Sequence, residues 1–276
     1  MGRTIACANQ KGGVGKTTTV VNLASLLALA GDRVLLIDLD PQGNATSGVG
    51  IDRAMLERST YDGIIDGVAL HDLIVRGTSQ GVDVVPSAIA LAGAEVELVG
   101  APSRERRLRR LLEPITDAYD VIFIDCPPSL GLLTVNALTA ADAVLIPLQC
   151  EYYALEGLTQ LLATIELVRD HLNPRLAIDG VVLTMADART NLSAEVEAEA
   201  RRHLDGTVYD TVIPRSVRLS EAPSHGRSIA TYAPGSRGGM AYVALASEFR
   251  GRNARHVATN HVGIPIVREP DTAVVS

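Results

Sequence analysis

The chain has almost no lysine. Of its 25 cationic residues, Lys11 and Lys16 are the only two that are not arginine. Tryptophan is absent, phenylalanine occurs twice and aromatics make up 3% of the residues, so alanine, valine, leucine and isoleucine must fill the core. Such side chains suit parallel strands buried between helices. Three cysteines, Cys7, Cys126 and Cys150, are too few and too scattered for a disulfide framework. Each lies in or beside an apolar run, where a buried, reduced thiol of a cytosolic protein is expected. No uninterrupted apolar stretch approaches the ~18 residues of a membrane span, and the N-terminal apolar run is too short for a secretory signal. Excess positive charge is lacking too. A net charge of −7 argues against a uniformly basic nucleic-acid binder but leaves room for a local basic patch.

Both lysines fall in one stretch, Asn9-Gln10-Lys11-Gly12-Gly13-Val14-Gly15-Lys16-Thr17-Thr18. Arginine and lysine are not interchangeable at a phosphate, and a compact, rotatable ammonium is kept here and nowhere else. The apolar run Thr4–Ala8 reads as a buried strand before the stretch. Val20, Val21, Leu23, Ala24, Leu26, Leu27 and Leu29 continue after it with helical spacing as far as Gly31. Strand, glycine-rich turn and helix is the context of a phosphate-binding loop. Glycines admit an anion close to the backbone, and the helix N-terminus supplies unpaired N–H groups. Lys16 is placed to reach the β- and γ-phosphates and the Thr17 hydroxyl to bind Mg²⁺. The ordinary motif has glycine six residues before its lysine; here that position is Gln10, and Lys11 opens the loop instead.

Strands and helices alternate along the rest of the chain without a break in composition, which predicts one α/β domain with a doubly wound, mostly parallel sheet over residues 1–250. Arg33–Asp38 reads as a second buried strand, with Asp38 and Asp40 at its carboxyl end, where open α/β sheets bind ligands. Val82–Pro86 is a third. The Asp120–Asp125 run ends in a carboxylate, as a Walker B strand does, so Asp125 is the candidate Mg²⁺ holder. Further strands are expected at 143–148, 176–184 and 208–213. Helices are expected at 88–99, 103–117, 131–140, 154–172, 192–204 and 238–249. Residues 45–80 give a weaker pattern, with short helical pieces at 61–65 and 70–75 and turns at Gly63, Gly67 and Gly77. Arg104, Arg106, Arg107, Arg109 and Arg110 go around their helix, and both a DNA-facing surface and a solvated face partnered by Glu105 and Glu113 fit them. Beyond Gly251 the periodicity stops and Pro265 and Pro270 follow, which predicts a mobile tail over 251–276.

The segments Lys11–Thr18, Asp38–Thr46, Asp125–Gly131, Gln149–Gly157, Asp187–Thr190 and Arg218–Gly226 resemble the ParA/MinD group of deviant P-loop ATPases, and most closely its short chromosomal, Soj-like ParA members. The resemblance covers residues 2 to about 250. It implies a cytoplasmic, nucleoid-associated, Mg²⁺- and ATP-dependent ATPase of chromosome or plasmid partition. Such proteins form an ATP-bound homodimer on nonspecific nucleoid DNA, and a ParB-type partner stimulates hydrolysis and release.

Residue by residue, the resemblance implies that Lys11, Gly12, Gly13, Val14, Gly15, Lys16, Thr17 and Thr18 cradle ATP and that Thr17 and Asp125 hold Mg²⁺. Lys11 reaches across the dimer to the partner subunit's nucleotide, where an added cation offsets the repulsion of two triphosphates. Lys11, Lys16 and Asp40 are the catalytic set, with Asp40 positioning the attacking water; Asp38 either orders the site or caps its strand. Pro214 and Ser216 flank the base, although family members often carry asparagine where this chain has Ser216. Arg189 and Arg218 are the DNA contacts, and ion pairs of Arg189 with Asp187 and Arg218 with Glu221 are the alternative for the same residues.

Residues 211–240 hold Arg215, Arg218, Arg227 and Arg237 against Glu221 alone, which composes a local basic patch. A MinD-like membrane-positioning ATPase would need a basic amphipathic C-terminal helix, and 251–276 does not read as one. An iron-protein relative would need paired cluster cysteines. A small-molecule kinase or ligase and a non-enzymatic nucleoid-binding scaffold complete the alternatives.

Overall fold

The computed structural model describes residues 2–151, 154–187, 189–204 and 206–261. In chain order the main elements begin with β1 (Arg3–Cys7), α1 (Lys16–Leu29), β2 (Val34–Asp38), α2 (Asn44–Gly48), β3 (Asp83–Val85) and α3 (Leu91–Glu97). Then come α4 (Arg107–Leu112), β4 (Val121–Asp125), α5 (Leu132–Ala140), β5 (Ala143–Gln149), α6 (Ala154–His171) and β6 (Ala177–Thr184). The chain finishes with α7 (Asn191–His203), α8 (Val217–Glu221), α9 (Ile229–Tyr232) and α10 (Arg237–His261).

The six strands form one parallel sheet in the order β3-β2-β4-β1-β5-β6, the doubly wound arrangement expected from the alternation of elements. From β1 the chain runs outward to β2 and β3, returns through β4, then crosses to β5 and β6 on the other side. The carboxyl end of β1 therefore lies at the reversal of winding, where such sheets open a crevice.

Alternation along the strands sorts the core into two layers. Ala6, Leu35, Ile37, Ile122, Ile124, Val144 and Ile146 face α3 to α7, while Ile5, Cys7, Leu36, Phe123, Leu145 and Val182 face α1, α2 and α8 to α10. Aliphatic side chains do most of this packing, as the composition demands. The two phenylalanines meet each other across the second layer, Phe123 of β4 against Phe249 of α10, with ring centroids 5.6 Å apart. All three cysteines are buried and unpaired.

Four local expectations need correcting. Residues 208–213 do not form a strand; only a single bridge joins Val208 to Val181. The reason is competition for the backbone, because Asp210 and Thr211 give their N–H groups to the Glu248 carboxylate at 2.9 Å each, and Pro214 has none to give. The last helix runs to His261 instead of stopping near Phe249. Gly251 is tolerated inside it because its neighbours are anchored: Arg250 bonds Asp32 at 3.0 Å, and Arg252 bonds Glu248 at 2.9 Å. Residues 262–276 of the expected tail lie outside the described residues. The helical piece expected at 61–65 is present as a wide helical turn (Asp62–Asp66), but that at 70–75 stops after a single 3₁₀ turn (Leu70–Asp72), and Val75 bridges Val84 antiparallel to β3 instead. The 88–99 and 103–117 helices are each broken, into α3 and α4 with single 3₁₀ turns beside them.

Candidate active site

The phosphate loop leaves β1 at Ala8 and enters α1 at Lys16. Gly13 and Gly15 have φ of 75° and 90°, left-handed values that L-residues avoid, and Gly15 is the residue from which α1 starts. Asn9 fixes the entry. Its amide donates to the Pro147 carbonyl at 2.7 Å and its Oδ1 accepts the Lys11 N–H at 3.0 Å. On the other side the Thr184 hydroxyl, at the end of β6, donates to the Val14 carbonyl at 2.8 Å. The loop is thus tied to both β5 and β6. Neither Asn9 nor Thr184 stood out in the sequence, although an asparagine three residues before a glycine pair is a recognisable Asx-turn signal.

Inside this frame Lys16 is buried and its Nζ donates to the Lys11 carbonyl at 3.2 Å. The Thr17 hydroxyl donates to Asp125 Oδ2 at 2.7 Å. Asp125 and Asp38 are register partners on adjacent strands and both are fully buried. Asp38 accepts from Thr46 N and Oγ1 at 2.8 and 2.7 Å and from Asp40 N at 3.1 Å. Asp40 is also buried, and its Oδ1 accepts the Gln42 N–H at 2.9 Å.

Burial raises the Asp38 pKa to about 6 against the lowering effect of the Thr46 bonds, with Asp40 repulsion adding to the rise. Burial and then the Asp38 charge drive Asp125 well above the ordinary carboxylate range. Three carboxylates from two chain segments, Asp38 and Asp40 after β2 and Asp125 at the end of β4, therefore lie close to Lys16 and the Thr17 hydroxyl.

The residues fit a nucleotide and a divalent cation. Asp125 Oδ1 is a buried oxygen with no hydrogen-bond partner in the protein, which suits a ligand atom or a bound cation's water. Among the described residues no group of three or more His, Cys, Asp or Glu is arranged to hold a metal on its own. Mg²⁺ takes one or two carboxylates and completes its shell from phosphates and water, so Thr17 and Asp125 would suffice as its protein ligands. From Gly15, Thr17 and Thr18 a cavity of about 610 Å³ extends between α1 and α2 to Pro214 and Ser216, a volume in the range of small-molecule sites. The structure thus brings Gly15, Thr17, Thr18, Pro214 and Ser216 to one cavity; Asp125 does not line it and is joined to it through the Thr17 hydroxyl.

Lys11 stands apart. Its ammonium lies 3.5 Å from Glu151 Oε2, and Glu151 also accepts from Gln149 at 2.6 Å and from Arg215 at 3.4 Å.

Arg189 and Arg218 lie outside the cavity and are exposed, with 86% and 60% of their side chains accessible. Arg189 forks onto Asp187 at 2.9 and 2.7 Å, and Arg218 reaches Glu221 at 2.9 Å. The arginine helix is partly explained. Arg107 donates to the carbonyls of Ile64 and Ile65 at 2.8 and 3.1 Å, while Arg104 and Arg109 pair with Glu105 and Glu113. No helix among the described residues is long and apolar enough to cross a membrane.

A family model described as an AAA domain matches residues 2–178. The sporulation initiation inhibitor protein Soj of Bacillus subtilis is 60% identical over 248 residues, 90% of this chain and 98% of that protein. The chromosome partitioning protein ParA of Caulobacter vibrioides is 53% identical over 248 residues, covering 89% and 93%. Among solved structures, a cobyrinic acid a,c-diamide synthase from Mycobacterium smegmatis with bound ADP and magnesium superposes with a TM-score of 0.81 at 39% identity, covering 94% of this chain and 97% of that one. With identity of this degree along nearly the whole of its described length, the chain belongs to the Soj/ParA family of chromosome-partitioning proteins.

Proposed function

We propose that this chain is an ATP-hydrolysing DNA-partition protein. The observation that carries the reading is the buried, unpartnered Oδ1 of Asp125 beside the Thr17 hydroxyl, at the mouth of a glycine loop that contains both lysines of the chain. Mg²⁺ held at Thr17 and Asp125 would supply charge neutralisation at the transferring phosphoryl group. The loop residues Gly12, Gly13, Val14 and Gly15 present backbone N–H groups to the phosphates, Lys16 gives its ammonium to them, and Thr18 closes the first turn of α1. Pro214 and Ser216 flank the base. Asp40 holds the attacking water, and its own N–H donates to Asp38, which keeps the turn oriented.

Lys11 exchanges Glu151 for the nucleotide of a second copy. An exposed pair in water holds it weakly, and two facing triphosphates reward the transfer. The dimer so formed binds nonspecific DNA through Arg189 and Arg218, and a ParB-type partner bound at a centromere-like site stimulates hydrolysis and returns the dimer to monomers. Both arginines are exposed in ion pairs that phosphate can replace, which supports this role.

The test is ATP turnover with Mg²⁺, measured with DNA, with a candidate ParB-type protein, and with both. Synergy of the two is expected; turnover indifferent to both would sink the partition reading. Two variants assign the residues. Asp40→Ala should keep ATP binding and dimerisation while losing hydrolysis. Lys11→Ala should bind ATP yet sediment as a monomer with it. A second reading, a small-molecule synthase, draws on the name of the solved structure at 39% identity. It ranks behind because the partition relatives reach 60% and 53%.

A further inference from the structure

The turn that carries Asp40 is closed from within and clamped from outside. Within it, Gly43 N donates to the Asp40 carbonyl at 2.8 Å and Gln42 N to the Asp40 carboxylate at 2.9 Å. These bonds leave the carbonyls of Pro41 and Gln42 facing outward. Both are taken by Arg53, whose Nη2 donates to Pro41 O at 3.1 Å and whose Nη1 donates to Gln42 O.

Arg53 projects from a single 3₁₀ turn (Arg53–Met55) whose start is fixed by Asp52, which accepts the Ala54 N–H at 3.0 Å. Its Nε is buried without an acceptor, and among the described residues the guanidinium forms no ion pair. It lies against Gly43, where an added Cβ would come within 2.4 Å of Nε and 2.6 Å of Cζ. Gly43 also has φ of 62°, so this position serves both the turn and the close approach of the arginine. The guanidinium bridges two consecutive carbonyls and is committed to them, with no carboxylate partner among the described residues. The planar fork suits two parallel acceptors in a way that an ammonium does not.

We infer that Arg53 is a positioning residue for hydrolysis: it clamps the Pro41–Gln42 peptide so that the Asp40 carboxylate holds the attacking water in place. It touches neither nucleotide nor water and acts through the turn. The inference rests on the proposed role of Asp40. Displacing a positioned reactant by about 1 Å can lower a rate on the order of 100-fold, so a loosened turn is expected to show in the chemical step.

The experiment is single-turnover hydrolysis of Mg·ATP by the full chain, with ATP affinity and melting temperature measured on the same samples. Arg53→Ala should lower the hydrolysis rate about tenfold or more, with ATP affinity and melting temperature little changed. Arg53→Lys should recover part of the rate, because one ammonium cannot span both carbonyls. Gly43→Ala pushes the arginine side chain off the turn by a separate route. In that background Arg53→Ala should cost little further rate, since the same contact is already gone.

An Arg53→Ala protein that hydrolyses like wild type, while Asp40→Ala is inactive, would overturn the clamp and leave Asp40 standing. Full turnover by Asp40→Ala would instead remove the parent reading, and the clamp with it. Equal losses of affinity and rate, or additive effects of Gly43→Ala and Arg53→Ala, would each show that Arg53 works elsewhere. Should Arg53→Ala fold poorly, the rate of Arg53→Lys at unchanged ATP affinity decides the matter alone: a wild-type rate overturns the clamp.

Discussion

The sheet buries carboxylates at both of its ends and treats them differently. At the amino edge Asp179 of β6 has a cation against one carboxylate oxygen and a hydroxyl on the other, although its Oδ1 accepts no hydrogen bond. Arg3 pairs with it at 2.7 Å and the Tyr209 hydroxyl donates to it at 2.5 Å. The Tyr209 ring lies under the Arg252 guanidinium at 3.9 Å, and Arg252 pairs with Glu248 at 2.9 Å. This network joins β1, β6, α10 and the 208–211 segment. At the carboxyl edge Asp125 keeps one oxygen without a protein partner and stands beside Asp38. Like-charge crowding of this kind is unfavourable in a low-dielectric interior, and it is relieved when a cation enters. The amino edge is closed and stabilises the fold; the carboxyl edge is open to a ligand.

The largest effect that would sharpen the contrast is on binding. Lys16→Ala removes the buried ammonium of the carboxyl edge and should weaken ATP binding on the order of 100-fold, about 3 kcal/mol, as loss of charged contacts to phosphate implies. Equilibrium titration with a fluorescent ATP analogue measures it. Retention of wild-type affinity would mean that the loop is not the phosphate site.

The opposite substitution tests the closed edge. Asp179→Ala leaves Arg3 and the Tyr209 hydroxyl without their shared acceptor, and breaking a buried pair on one side costs about 3 kcal/mol. The urea midpoint should fall accordingly, while ATP affinity of the folded protein stays the same. A loss of nucleotide binding without a loss of stability would erase the distinction between the two edges.

Acidity provides a third, smaller handle. The folded-state pKa of Asp38 is about 6 and that of Asp125 is also raised, chiefly by burial, whereas both titrate near ~4 when unfolded. Between those values the folded chain holds more protons than the unfolded one. The nucleotide-free protein should therefore gain stability as pH falls from 7 towards 5 and lose it again as pH rises through 6, by about 2 kcal/mol. Urea unfolding at the two pH values measures the gain. Asp125→Asn should reduce this dependence, and saturating Mg·ATP should do the same. A stability that rises with pH across this window would mean that the carboxyl edge is not strained.

Much of this was legible in the sequence, for identifiable reasons. The strands at 34–38 and 121–125 are continuous apolar runs ending in aspartate, and a parallel sheet buried on both faces demands that pattern. The loop was legible because glycine and lysine there have no other use. What escaped is what depends on partners distant in sequence. Glu248 captures the N–H groups of 210 and 211 from 38 and 37 residues away, so an apolar run that reads as a strand is pulled out of the ladder. The continuation of α10 past Gly251 depends on Asp32 and Tyr209. The clamp of Arg53 on Pro41 and Gln42 leaves no local signature, and neither does the capture of Lys11 by Glu151.

The smallest effect concerns charged pairs that belong to neither edge. Arg189 and Arg218 sit in exposed pairs with Asp187 and Glu221, and Arg189 holds the Asp187 carboxyl well below its usual range through a side-chain bond in open solvent. Exposed pairs contribute little to stability, so Arg189→Ala and Arg218→Ala should leave the urea midpoint and ATP binding unchanged, unlike Asp179→Ala and Lys16→Ala. Their effect should appear on DNA. Phosphate contacts fix position without reading bases, so binding should weaken about equally on two unrelated duplexes. Each lost contact should flatten the slope of log affinity against log salt by roughly 0.9, and by up to twice that in a dimer where both copies change. The salt series is run with ATP in an Asp40→Ala background, which holds the dimer closed. A slope unchanged in both variants would return the two arginines to plain surface pairs, and a fall in stability would make their ion pairs structural.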